Sequence, residues 1–85
     1  MKFITFADIE AKREQEAYLA MAHKIPKLPG VEGVYLTIGA HDIVIIHEAD
    51  SLKKGVQLAI KIRSMPGIID AETTVCLDIE KIFER

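Results

Sequence analysis

Four residues, Gly39-Ala40-His41-Asp42, interrupt the two stickiest runs of the chain, Val34-Tyr35-Leu36-Thr37-Ile38 and Ile43-Val44-Ile45-Ile46. The tetrad is small, polar and partly ionisable. Its first reading is a hairpin turn, with Gly supplying backbone freedom and Asp bonding nearby amides. Its second reading is a turn that also holds a ligand. The other groups able to do chemistry are sparse. His41 and His47 lie about 20 Å apart along an extended chain, too far to share one ion without help from another subunit, so no metal is expected. His47, next to Glu48, is expected to end a strand at solvent. Cys76 alternates with Val75 and Leu77 and has no partner that would lower its pKa, so it reads as a packing residue. There is no phosphate loop, no nucleophile beside a base and no cluster of metal ligands. Neither enzyme chemistry nor a cofactor is called for.

The elements that position the tetrad follow from composition and pattern. The chain has 85 residues, enough for one domain with a modest core. Yet 49% of residues are hydrophobic and the mean hydropathy is positive. That excess over what a small core can hide favours association of copies. The net charge of −2 carries no basic, clustered footprint for nucleic acid. No apolar run is long enough to span a membrane, and the N-terminus lacks the pattern of a signal peptide. A single cysteine forms no internal disulfide and suits a reducing cytoplasm.

Phe3 to Ala7 is a short β-prone run, and Asp8 offers a helix cap. From about Glu10 a stretch without Gly or Pro predicts a helix whose stripe is Glu14, Tyr18, Met21, Ile25 and Leu28. Early acidic residues and late His23 and Lys24 suit its dipole, and Pro26 should stop or kink it. A second strand is expected over Val31 to Ile38, with Val34, Leu36 and Ile38 on one face and Tyr35 and Thr37 on the other. The third, Ile43 to Glu48, is apolar on both faces and so belongs mid-sheet, covered twice. Asp50 or Ser51 caps a second helix with Leu52, Val56, Ala59 and Ile62 or Arg63 along its stripe. Gly55 weakens that helix, either by chance or to allow close packing. Glu72 to Leu77 is the last strand, and the tail from Asp78 to Arg85 is expected to dock as a turn of helix.

The chain also repeats itself: Leu28-Pro29-Gly30-Val31 returns as Met65-Pro66-Gly67-Ile68. Each copy follows a helix and precedes a strand, where Pro and Gly act as a stop. Two β-α-β units joined by a tight hairpin give an α+β, ferredoxin-like βαββαβ sandwich, a four-stranded antiparallel sheet with two helices on one face. The other face is left bare, with Tyr35, Thr37 and one side of the Ile43–Ile46 run. A second sheet is expected to cover it in a face-to-face dimer of the dimeric α/β barrel kind.

Residues 28–77 resemble the effector domain of the Lrp/AsnC regulators, the RAM domain. The likeness rests on Pro29-Gly30-Val31 before a Val34-Tyr35 strand, Gly39 and Asp42 spaced as Gly-x-x-Asp, and the acidic step Glu48-Ala49-Asp50 into a helix. It ends with Met65-Pro66-Gly67-Ile68 before a Thr-containing strand. With no helix-turn-helix expected ahead of it, the whole of residues 1–85 is similar to the stand-alone RAM proteins. The GYD-domain family is a second resemblance, through the Gly33–Asp42 hairpin and the Glu72–Phe83 region.

The RAM resemblance implies a small-molecule effector, typically an amino acid, held between dimers near the turn of Gly39, Ala40, His41 and Asp42. Amides of Ala40, His41 and Asp42 could cradle its carboxylate, and Asp42 could accept its ammonium. Thr73 matches the family's threonine on the last strand. Where the family often carries a charged residue and then an aromatic, this chain has Ala40 and His41. The resemblance further implies homo-oligomers, dimers built into larger rings, a full-length Lrp/AsnC regulator as partner, and no direct contact with nucleic acid. The alternatives are a small dimeric α/β-barrel enzyme and a ligand-free structural subunit.

Overall fold

The computed structural model describes residues 1–83. Strands β1 (Lys2–Ile9), β2 (Val31–Leu36), β3 (Ile43–Glu48) and β4 (Ile68–Cys76) form one antiparallel sheet in the order β2-β3-β1-β4. Helices α1 (Glu14–Leu19) and α2 (Leu52–Arg63) pack on one face, and a single turn, α3 (Ile79–Ile82), follows β4. This is the ferredoxin-like arrangement expected from the two β-α-β halves.

Alternation decides which side chains the helices cover. Phe3, Thr5 and Ala7 on β1 and Ile43, Ile45 and His47 on β3 are all buried beneath them. Ala17, Ala20, Ile25 and Ile62 close the core from above, with Ile68 at one edge. The opposite face carries Ile4, Phe6, Val44 and Ile46, half-buried by one another, and Tyr35, which is 54% exposed. The inner position of β3 is therefore as expected, but within one chain its second face has no cover.

The Pro-Gly repeats are two copies of one device. The Val31 N–H donates to the Leu28 carbonyl at 3.2 Å, and the Ile68 N–H to the Met65 carbonyl at 3.2 Å. Gly30 and Gly67 have φ of 93° and 84°. Pro at the second position and a left-handed Gly at the third define type II turns. A Cβ on Gly67 would stand 2.6 Å from the Arg13 carbonyl oxygen, so each turn also needs glycine for closeness.

Several local expectations are corrected. The first helix is not continuous: a 3-10 turn (Ala11–Arg13) precedes α1, a π-helical stretch (Ala20–Lys24) follows it, and a 3-10 turn (Ile25–Lys27) holds Pro26. Of its expected stripe, Ile25 is buried and Met21 and Leu28 pack partly buried against the core, whereas Glu14 and Tyr18 are exposed and Ala17 and Ala20 take the buried positions in their place. On α2 the buried residues are Gly55 and Ile62, while Leu52 and Val56 are exposed. Strand β2 ends at Leu36, and β4 starts earlier than expected, at Ile68. The tail does form a capped turn, with the Asp78 side chain accepting the Glu80 N–H. Its apolar residues Ile79, Ile82 and Phe83 are exposed rather than docked. Glu84 and Arg85 lie outside the described residues.

Candidate functional site

The β2–β3 turn is held to the end of β1 by backbone and side-chain bonds. The Thr37 N–H donates to the Asp42 carbonyl at 2.8 Å, and the Thr37 hydroxyl to the His41 carbonyl at 2.7 Å. Asp42 then reaches across to β1. Its N–H donates to the Ala7 carbonyl at 3.1 Å, and its Oδ2 accepts the Ile9 N–H at 2.9 Å. The N–H of Asp42 is therefore not free for a ligand, contrary to the expectation for the turn. Its carboxylate serves the fold first, with lone pairs left over for a second donor.

His41 Nδ1 lies 3.4 Å from Asp8 Oδ1, and its ring tilts against Phe6 with centroids 5.3 Å apart. Protonation of His41 would make this an ion pair. Gly39 and Ala40 are exposed at the tip, and a Cβ built on Gly39 would meet nothing within 4 Å. Ile38, just before them, is wholly exposed. The tip thus presents an apolar side chain and uncovered backbone beside a His–Asp pair.

Thr73 is not part of this cluster. It pairs with Thr5 across β1, on the opposite side of that strand from β3. One chain brings Gly39, Ala40, His41 and Asp42 together and leaves Thr73 at the other edge of the sheet.

Thr73 instead ends a polar chain that the sequence reading missed. His47 Nε2 lies 2.7 Å from Thr5 Oγ1, which lies 2.8 Å from Thr73 Oγ1. His47 is fully buried and stacks on Phe3, with centroids 5.3 Å apart and planes 11° from parallel. It does not end the strand at solvent. Burial lowers its pKa, so the ring is held neutral. The missed signal was phase: His47 alternates with Ile43 and Ile45, so it shares their face. Among the described residues, no group of three metal-ligating side chains converges, and no helix is long and apolar enough to cross a membrane.

An antiparallel sheet in the order β2-β3-β1-β4 with its helices on one face defines the class as a ferredoxin-like α+β domain. The family model for the Lrp/AsnC ligand binding domain matches residues 4–84. The chain belongs to that family. It is 35% identical over 57 residues to the HTH-type transcriptional regulator LysM of Saccharolobus solfataricus, an alignment covering 67% of this chain and 40% of that regulator. The chain thus spans well under half of the curated relative that it matches. A hypothetical protein from Pyrococcus horikoshii, PHS023, superposes with a TM-score of 0.73 at 26% identity, covering 93% of both chains. A transcriptional regulator of Neisseria meningitidis, solved as its L-Met complex, superposes with a TM-score of 0.79 over 92% of this chain and 50% of its own. At 16% identity that last likeness shows the fold alone.

Proposed function

We propose that this chain is an effector-binding and assembly module that works by ligand-dependent association of its copies. The observation that carries the reading is the pairing of an uncovered apolar sheet face with an uncovered hairpin tip. Ile4, Phe6, Val44, Ile46 and Tyr35 lie on that face. Each large apolar side chain fully buried contributes roughly 1.5–3 kcal/mol, so a second sheet is the economical cover.

Dimers then meet at their hairpin tips, and a small amino acid bridges them there. Gly39, Ala40 and His41 offer backbone to its carboxylate, and the spare lone pairs of Asp42 accept its ammonium. Thr73 joins such a site only from another subunit. The match to the Lrp/AsnC ligand binding domain supports a small effector, and the family resemblance implies an amino acid as its class. The LysM likeness supports a full-length regulator as partner, reached in the cytoplasm by mixed assembly or by competition for effector. Ligand shifts assembly only by its differential affinity for the assembled and free states.

Light scattering on a sizing column, with and without a panel of amino acids, tests both halves. The reading expects a dimer or larger species whose size or stability responds to at least one amino acid. A strict monomer indifferent to the whole panel refutes it.

A further inference from the structure

Between α2 and β4 lies a cavity of about 180 Å³ lined by Val56, Ala59, Ile60, Arg63, Ala71 and Thr73. It is smaller than a pocket for a drug-sized ligand, which suits a molecule of only a few heavy atoms. Its walls are aliphatic, with one cation, Arg63, and one hydroxyl, Thr73. Among the described residues Arg63 has no carboxylate within ion-pair distance, and no acidic side chain lines the cavity.

The buried chain behind Thr73 decides which way its hydroxyl points. His47 Nδ1 is buried without a hydrogen-bond partner. A proton on Nδ1 would be a buried donor with nothing to receive it, a costlier state than an idle lone pair. The proton therefore belongs on Nε2, which donates to Thr5 Oγ1. Thr5, having accepted, donates onward to Thr73 Oγ1. The Thr73 hydroxyl proton is then left over for a group in the groove that Thr73 lines. Two donors, a guanidinium and a hydroxyl, thus line a largely aliphatic groove that is open to solvent.

We propose that this cavity binds a short aliphatic carboxylate that lacks an ammonium group. Arg63 and Thr73 take the carboxylate, and Val56, Ala59, Ile60 and Ala71 hold the short alkyl body. His47 and Thr5 are positioning residues that fix the polarity of Thr73. Within one chain the site is separate from the Gly39–Asp42 turn, which lies at the other edge of the sheet. The turn has a carboxylate for an ammonium and the cavity has none, so an amino acid is the weaker ligand here. The inference does not rest on the effector reading above.

The test is amide-resolved NMR titration of the full chain with butyrate, with butyramide and 2-aminobutyrate as controls. Butyrate is expected to move the amides of Ala59, Arg63, Ala71 and Thr73, and to bind at least about tenfold more tightly than either control. Arg63→Gln and Thr73→Val are each expected to weaken butyrate by about tenfold or more, while Asp42→Asn leaves it unchanged. Imidazole nitrogen shifts give an independent readout: His47 is expected as the Nε2–H tautomer. Equal response to butyrate and butyramide, shifts confined to residues 39–42, no response at all, or an Nδ1–H tautomer would each overturn the proposal.

Discussion

Asp42 and Ile9 are joined by a 2.9 Å hydrogen bond from the Ile9 N–H to the Asp42 carboxylate, tying the hairpin turn to the last residue of β1. One side chain that the family resemblance marks for a ligand is thus also part of the scaffold. The two roles separate by substitution. Asp42→Ala removes the acceptor and leaves a partly buried N–H unpaired, at a cost of about 1–3 kcal/mol in urea unfolding. Asp42→Asn keeps an oxygen for Ile9 and loses only the charge. It should retain most of the stability while weakening any ammonium-bearing ligand, which calorimetric titration would read.

Gly55 on α2 sits directly over the ring of Phe3. A Cβ there would lie 2.0 Å from Phe3 Cζ. Alanine is the better helix former by about 1 kcal/mol, yet Gly55→Ala should destabilise by about 1–3 kcal/mol through overpacking. Adding Phe3→Leu should recover part of that loss, since the two sites share the contact. Chemical denaturation of the two single variants and the double variant checks the coupling. If Gly55→Ala is as stable as the parent, the helix does not sit so close to the sheet.

His47 makes stability depend on pH. Its folded pKa lies below the ordinary value of about 6.5, because burial disfavours the charged ring. Above about pH 6.5 both folded and unfolded states carry neutral His47 and its contribution is level. As pH falls through that value the unfolded state takes up a proton that the folded state refuses. Stability is then lost, by at most about 1.4 kcal/mol per pH unit, until the folded pKa is reached. His47→Gln has no such proton, so the difference in slope between parent and variant isolates the residue. Identical slopes would mean that His47 titrates as if exposed.

Much of this molecule was legible in the chain itself, because the informative patterns are local. Pro29-Gly30 and Pro66-Gly67 mark two helix stops, and the unbroken apolar run Ile43–Ile46 marks an inner strand. Phase was harder to read. The stripe through Tyr18 correctly includes Met21, Ile25 and Leu28 but misses Ala17 and Ala20, whose small size leaves almost no hydropathy signal. Polarity alone sends His47 to solvent, although its register with Ile43 and Ile45 places it inside. Its partners Thr5 and Thr73 come from strands far apart in sequence, and only the β3-β1-β4 order makes them neighbours. The hairpin tip was legible as a turn, but the use of Asp42 to hold Ile9 was not, since nothing local links residues 9 and 42.

The open sheet face is where the account meets its most direct check. Val44 lies on that face between Phe6 and Tyr35 in the strand register, away from the helix-side core. Val44→Asp should therefore leave the fold intact by circular dichroism while placing a charge where a second sheet would sit. Sedimentation velocity of parent and variant across a wide concentration range is the decisive measurement. The account predicts a dimer or larger assembly for the parent and a folded monomer for Val44→Asp. A parent that sediments as a monomer at every concentration, or a variant that associates as strongly as the parent, would contradict it.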